Sequence, residues 1–212
     1  TDELFAYNSS NPSNMTLLDS LSFESVYGLF ASGNYVYVAG DRTGSGNSDG
    51  LYIVDATTPS NLQHMGRVNL ANAQDVFVVG NTAYVARGTD GMSTVNVTNK
   101  NAPALLDTED PGGTHRGVFV DGNYAYVAIA ALGLAIINVS NPSNLSTSST
   151  FNTPDSAYNL FKQGNEVYIA DDSSLYIVNV SNPASPAFAR SFATPYGYRD
   201  IHISGEYAYL SV

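Results

Sequence analysis

The sequence predicts an all-β protein, a five-bladed β-propeller of four-stranded blades, and three observations predict it. A short motif recurs five times: Gly33-Asn34-Tyr35-Val36-Tyr37-Val38, Gly80-Asn81-Thr82-Ala83-Tyr84-Val85, Gly122-Asn123-Tyr124-Ala125-Tyr126-Val127, Gly164-Asn165-Glu166-Val167-Tyr168-Ile169 and Gly205-Glu206-Tyr207-Ala208-Tyr209-Leu210. Its glycines are spaced by 47, 42, 42 and 41 residues, a period that suits a propeller blade. Within each period apolar and aromatic residues alternate, which is strand periodicity, and no segment has helical periodicity.

Each unit justifies its four strands in turn. The first is an apolar run such as Asp75-Val76-Phe77-Val78 or Gly117-Val118-Phe119-Val120. A Gly-Asn pair then turns the chain, since such pairs tolerate the positive φ of tight hairpins. The second strand carries the repeated tyrosine: Tyr37, Tyr84, Tyr126, Tyr168 and Tyr209. The third reads Leu51-Tyr52-Ile53-Val54-Asp55 or Leu134-Ala135-Ile136-Ile137-Asn138, and ends at an Asn-Pro turn (Asn141-Pro142, Asn182-Pro183). The fourth, as in Gln63-His64-Met65-Gly66, is more polar and suits a solvated outer strand. With no linker or shift in composition, residues 1–212 read as a single domain.

Leu4-Phe5-Ala6-Tyr7-Asn8 aligns with a third strand, and Tyr209-Leu210-Ser211-Val212 ends a second one. The expectation is a two-plus-two seam, in which strands from the two ends complete one blade and leave no unpaired sheet edge. The rival expectation is a piece of a larger propeller. Thr1 in place of methionine suggests a mature or trimmed chain.

Composition narrows the function. A net charge of −11 with only 8 basic residues argues against nucleic acid and anionic lipid as partners. The absence of cysteine rules out disulfides and thiolate metal sites. No apolar run is long enough for a membrane-spanning helix.

Gly50-Leu51-Tyr52-Ile53-Val54-Asp55, Gly133-Leu134-Ala135-Ile136-Ile137-Asn138-Val139-Ser140-Asn141-Pro142 and Ser174-Leu175-Tyr176-Ile177-Val178-Asn179-Val180-Ser181-Asn182-Pro183 resemble the LVIVD repeat family. The resemblance covers essentially the whole chain. It implies a β-propeller of bacterial or archaeal type, often at the cell surface, and carries no catalytic motif. The second unit departs most: Gly91-Met92-Ser93-Thr94-Val95-Asn96 loses the apolar pattern and Lys100 replaces the turn proline.

Candidate ligand-binding residues lie where the first strands begin, because those starts crowd one mouth of a propeller's channel. They are Tyr27, Asp75, His115, Arg116, Tyr158, Arg199 and Asp200, with Gln74 and Asn159 beside them; the entering loops add Glu24, Asp155 and Tyr196. Unlike the blade-building positions, these differ from unit to unit. Arginines there can grip an anion, tyrosines stack on a sugar, and carboxylates accept hydroxyl hydrogen bonds. The same residues also read as a solvated rim of arginine–carboxylate pairs. Glu24, Asp75, Asp155 and Asp200 could serve as acid and base of a carbohydrate-active hydrolase.

Residues 41–50 are the one clear insertion. Asp41, Thr43, Ser45, Asn47 and Asp49 put oxygen-bearing side chains at alternate places in a glycine-rich loop, a candidate calcium site at Asp41, Asn47 and Asp49, although the glutamate of an EF-hand is missing. Sequons at Asn8, Asn14, Asn96, Asn138, Asn144 and Asn179 fit a glycosylated exported chain, and turn chemistry also explains them. The reading is a non-enzymatic, secreted or cell-surface module that recognises a protein or glycan or joins an extracellular assembly, self-assembly included.

Overall fold

The structure, a computed structural model, describes residues 2–41, 49–193 and 196–212. Among them every helix or strand assignment is β-strand. The chain opens with an antiparallel pair, β1 (Asp2–Asn8) and β2 (Thr16–Phe23). Four four-stranded antiparallel meanders follow. The first holds β3 (Ser25–Ser32), β4 (Tyr35–Asp41), β5 (Gly50–Asp55) and β6 (Gln63–Asn69). The second holds β7 (Asp75–Val79), β8 (Thr82–Ala86), β9 (Met92–Asn96) and β10 (Ala104–Glu109). The third holds β11 (Thr114–Asp121), β12 (Tyr124–Ala130), β13 (Gly133–Asn138) and β14 (Ser146–Phe151). The fourth holds β15 (Ala157–Gln163), β16 (Glu166–Asp171), β17 (Ser174–Asn179) and β18 (Ala187–Ala193). A last pair, β19 (Asp200–Ser204) and β20 (Tyr207–Ser211), ends the chain.

The five repeated glycines stand at the first-to-second-strand hairpins with φ between 57° and 59°. Of each Gly-Asn pair only the glycine has positive φ, the pattern of a II′ hairpin, so the tolerance of asparagine for that region is not used here. Asparagine acts instead after the third strand. The Oδ1 atoms of Asn96, Asn138 and Asn179 accept the backbone N–H of Thr98, Ser140 and Ser181, each at 2.9 Å, and Asn8 and Asp55 do the same for Ser10 and Thr57. Four of the six sequon asparagines therefore hold turns; Asn14 and Asn144 are exposed in the turns that follow.

The core lies between blades. Val76 of the second blade packs on Tyr37, Ala39, Leu51 and Ile53 of the first. Val118 packs likewise on the second, Leu160 on the third and Ile201 on the fourth. The opposite face of the inner strands carries a run of rings. Phe30, Phe77, Phe119, Phe161 and His202 follow one another with centroids 4.6, 4.8, 5.1 and 5.0 Å apart. His202 thus takes the ring position that phenylalanine holds in the other four repeats. Phe119 touches a ring on either side, so F119A should lower stability by about 3 kcal/mol. F119L should cost markedly less; urea melts of the two variants measure the difference.

No closed sheet joins the two ends of the described chain. Among the described residues β1 pairs only with β2 and β20 only with β19, so two half-blades stand in place of one. Burial marks the gap. Val76, Val118, Leu160 and Ile201 are 2–4% exposed, whereas their counterpart Leu29 is 54% exposed. Tyr37, Tyr84 and Tyr126 are 2–5% exposed, whereas Tyr209 is 60%. β1 and β2 nonetheless dock on the first blade, where Leu4 and Phe23 pack on Val38 and Val54, and the Val26 N–H donates to Asp2 at 3.0 Å.

Candidate functional site

All five inner strands contribute to one cavity of about 1030 Å³. The residue that enters it from each strand comes from a repeated backbone irregularity. The ladder between first and second strands slips between Val26 and Gly28, between His115 and Gly117, and between Ala157 and Asn159. The bulged residues are Tyr27, Arg116 and Tyr158, and all three line the cavity. A bulge leaves one residue outside the ladder and re-aims its side chain. Gln74 and Arg199 hold the same place just ahead of β7 and β19, with their backbone N–H groups bonded to Ala86 and Ser211.

The next position in each strand reads Gly28, Asp75, Gly117, Asn159 and Asp200. Here glycine is a steric requirement. A Cβ on Gly28 would lie 2.7 Å from the Asp75 Cα, and one on Gly117 would lie 2.3 Å from Asn159 Oδ1. The polar side chains bridge blades. The Val118 N–H donates to Asp75 Oδ2 at 2.9 Å, and Asn159 Nδ2 donates to Asp200 Oδ1 at 2.6 Å. Burial, reinforced by the nearby Asp200 charge, pushes the Asp75 carboxyl up to about 7, against the pull of its backbone hydrogen bonds.

In the same cavity two guanidinium groups sandwich one ring. Arg116 Cζ lies 4.0 Å and Arg199 Cζ 3.8 Å from the Tyr158 centroid. Asp172 accepts from Arg199 Nη1 at 3.2 Å and from the Tyr158 hydroxyl at 3.4 Å. Arg116 Nη1 is buried with no hydrogen-bond partner.

The structure therefore gathers Tyr27, Asp75, Arg116, Tyr158, Arg199 and Asp200 from the sequence-based set. It separates the other four. His115 is fully buried, its Nδ1 against the Gly88 carbonyl at 2.9 Å, and burial pushes its pKa down. Together with the paired Gly88–His115 backbone bonds it pins the 87–91 loop to β11; it does not face the cavity. Glu24 is exposed between β2 and β3, and its backbone N–H bonds to Asp41. The Asp155 carboxylate accepts the Ser173 hydroxyl, and Tyr196 is exposed; neither lines the cavity. A blade's loop entry does not point inward merely because it precedes an inner strand; the bulge decides that.

Asn72, Gly88, Thr89 and Thr114 also line the cavity and were not anticipated. A signal for them existed. In an antiparallel meander the loop between the second and third strands lies at the same end as the start of the first. Asp41 is nearly buried and its carbonyl accepts from Glu24, while the Asp49 carbonyl accepts from Leu70; Asn47 lies outside the described residues. Among the described residues no three histidine or carboxylate groups gather as a metal site, and no helix is long and apolar enough to cross a membrane.

Solved structures share this architecture. A protein from Lactobacillus plantarum matches with a TM-score of 0.79 and 15% identity over 99% of this chain and 74% of its own. A functionally unknown protein from Desulfotomaculum acetoxidans matches with a TM-score of 0.71 and 13% identity over 91% of this chain. The Cps50 (Swd1) β-propeller domain of Myceliophteria thermophila matches with a TM-score of 0.70 and 14% identity, over 92% of this chain and 69% of its own. At these identities the likeness is one of fold. The chain spans 63% of the length of the Desulfotomaculum protein. No curated protein matches the sequence. The LVIVD repeat model, by contrast, matches residues 25–70, 71–108, 112–153, 156–194 and 198–212, and on that match the chain, a β-propeller by fold, belongs to the LVIVD repeat family.

Proposed function

We propose that the chain is a non-catalytic recognition module of a secreted or cell-surface protein, with the cavity at the inner-strand starts as its binding site for a protein or glycan. One observation carries this reading: residues that build the blades repeat, whereas the residues that bulges aim into the cavity differ from strand to strand. A rigid scaffold with a variable mouth suits recognition. The exposed sequon asparagines Asn14 and Asn144 support an extracellular setting. A screen of glycans and surface proteins against the wild type and Tyr27→Ala tests it. Binding should appear with the wild type and fall about tenfold or more in the variant. If every binding signal survives the substitution, the cavity is not the site.

The finer architecture is part of the same proposal. β20 pairs with β1 as β16 pairs with β17, which completes a fifth blade and buries Tyr209 against Leu29. The complementary exposure of those two residues supports it. Further blades between the two half-blades are the rival, supported by the greater length of the structural neighbours. No cofactor is assigned to recognition; calcium between Asp41 and Asp49 would act only to brace that loop, and a melt that shifts with calcium would reveal it.

A second reading, carbohydrate hydrolysis, is favoured by the two cavity carboxylates with different environments, Asp75 raised to about 7 and Asp200 hydrogen-bonded to Asn159. Turnover of aryl glycosides by the wild type, lost in both D75N and D200N, would replace the recognition role with catalysis.

A further inference from the structure

The bracket formed by Arg116, Tyr158 and Arg199 has a charge balance that selects a ligand. Arg199 is neutralised by Asp172, which also holds the Tyr158 hydroxyl. Among the described residues no carboxylate pairs with Arg116: its face is covered by Tyr158, and its buried Nη1 has no hydrogen-bond partner there. A buried donor left without an acceptor is costly, and a charged one more so. The bracket therefore presents one net positive charge at the cavity wall. The stack fixes the guanidinium plane, so little side-chain freedom is left to lose on binding.

The rest of the mouth asks for a different chemistry. Asp75 and Asp200 accept hydrogen bonds, Gln74 and Asn159 do both, and Tyr27 exposes a ring to the solvent-filled space. A ligand that satisfies both sides carries a single carboxylate, several hydroxyl donors and an apolar C–H face for the ring.

We propose that the cavity binds a hexuronate residue of an acidic glycan, its carboxylate on Arg116 and its hydroxyls on the Asp75 and Asp200 side. The proposal rests on the cavity being the binding site and specifies what it takes. An acidic peptide fits less well. It could satisfy Arg116, but it brings further negative charge and fewer donors to a mouth that already holds two carboxylates on a chain of net charge −11. The chain's overall charge also disfavours long polyuronate runs, so a terminal or isolated uronate is the preferred form.

The test is calorimetric titration of the wild type with a short oligogalacturonate, its carboxyl-reduced neutral counterpart, a sulfated neutral oligomer and an oligoglutamate peptide. The uronate should bind, and the neutral counterpart should bind about tenfold or more weakly. R116Q should erase that preference, R116K should restore part of it, and D200N should weaken acidic and neutral sugars alike. The ligand comparison on the wild type stands even if a variant fails to fold. Equal binding of the acidic and neutral sugars, with both lost in Tyr27→Ala, overturns the uronate assignment and leaves the cavity as a glycan site. Preference for the peptide or the sulfated oligomer overturns it in favour of that chemistry. If no sugar binds while a surface protein binds in a Tyr27-dependent manner, the cavity reading stands and the uronate does not.

Discussion

The double substitution A6C/Y209C is expected to form an intramolecular disulfide under mild oxidation and to raise the stability of the chain by up to about 5 kcal/mol. The positions follow from the repeat. Tyr168 pairs with Ile177 where β16 meets β17, and Tyr209 and Ala6 are their counterparts. Directly opposed residues in an antiparallel pair stand within the span a disulfide bridges. The gain is large because the bridge closes nearly the whole chain and removes that loop's freedom from the unfolded ensemble. With no native cysteine, mispairing has no other thiol to use. Non-reducing electrophoresis and paired denaturant melts, with and without reductant, give the answer. A covalent dimer would mean that the edge meets a second copy. Failure to oxidise would mean that β20 and β1 do not meet in the 212-residue chain, and further blades would then take the gap.

Asp75 should make the protein less stable as pH rises, the reverse of the usual carboxylate. Its folded pKa of about 7 lies above the ordinary value of 3.8, so the folded state holds the proton more tightly than the unfolded chain. Its stabilising contribution is complete below about pH 4 and is lost as pH climbs through 7. The side chain is only partly shielded, so screening keeps the loss to about 2 kcal/mol. D75N keeps the shape and an acceptor for the Val118 N–H while removing the charge. It should flatten stability between pH 4 and 7 and exceed the wild type at pH 8. D200N should make the decline smaller and end it at lower pH, because the Asp200 charge helps to raise Asp75. Denaturant melts across pH 4–8 measure all three. Parallel wild-type and D75N curves would show that Asp75 ionises freely in the folded protein.

Much of the site was readable because a repeat supplies its own frame. Tyr27, Gln74, Arg116, Tyr158 and Arg199 align by the repeat alone, and each sits at the cavity. In that same alignment His115 precedes the bulge, so the alternation turns it inward to Gly88 and leaves Arg116 to face the mouth. Asp155 and Glu24 were placed by their nearness along the chain to inner strands, but their hydrogen bonds hold them to Ser173 and to the β3–β4 edge.

Local chemistry by itself determined the blades. Alternating apolar residues, a glycine at each first-to-second-strand hairpin and an asparagine or aspartate closing each third strand act within about 42 residues. The tertiary structure decided what depends on neighbours. Only packing of one inner strand beside the next forbids a Cβ at Gly28 and Gly117, lifts the Asp75 carboxyl to about 7, and stacks two arginines on Tyr158. Those effects arise from atoms that the repeat brings within a few ångströms of one another across blades, a distance that no spacing along the chain records.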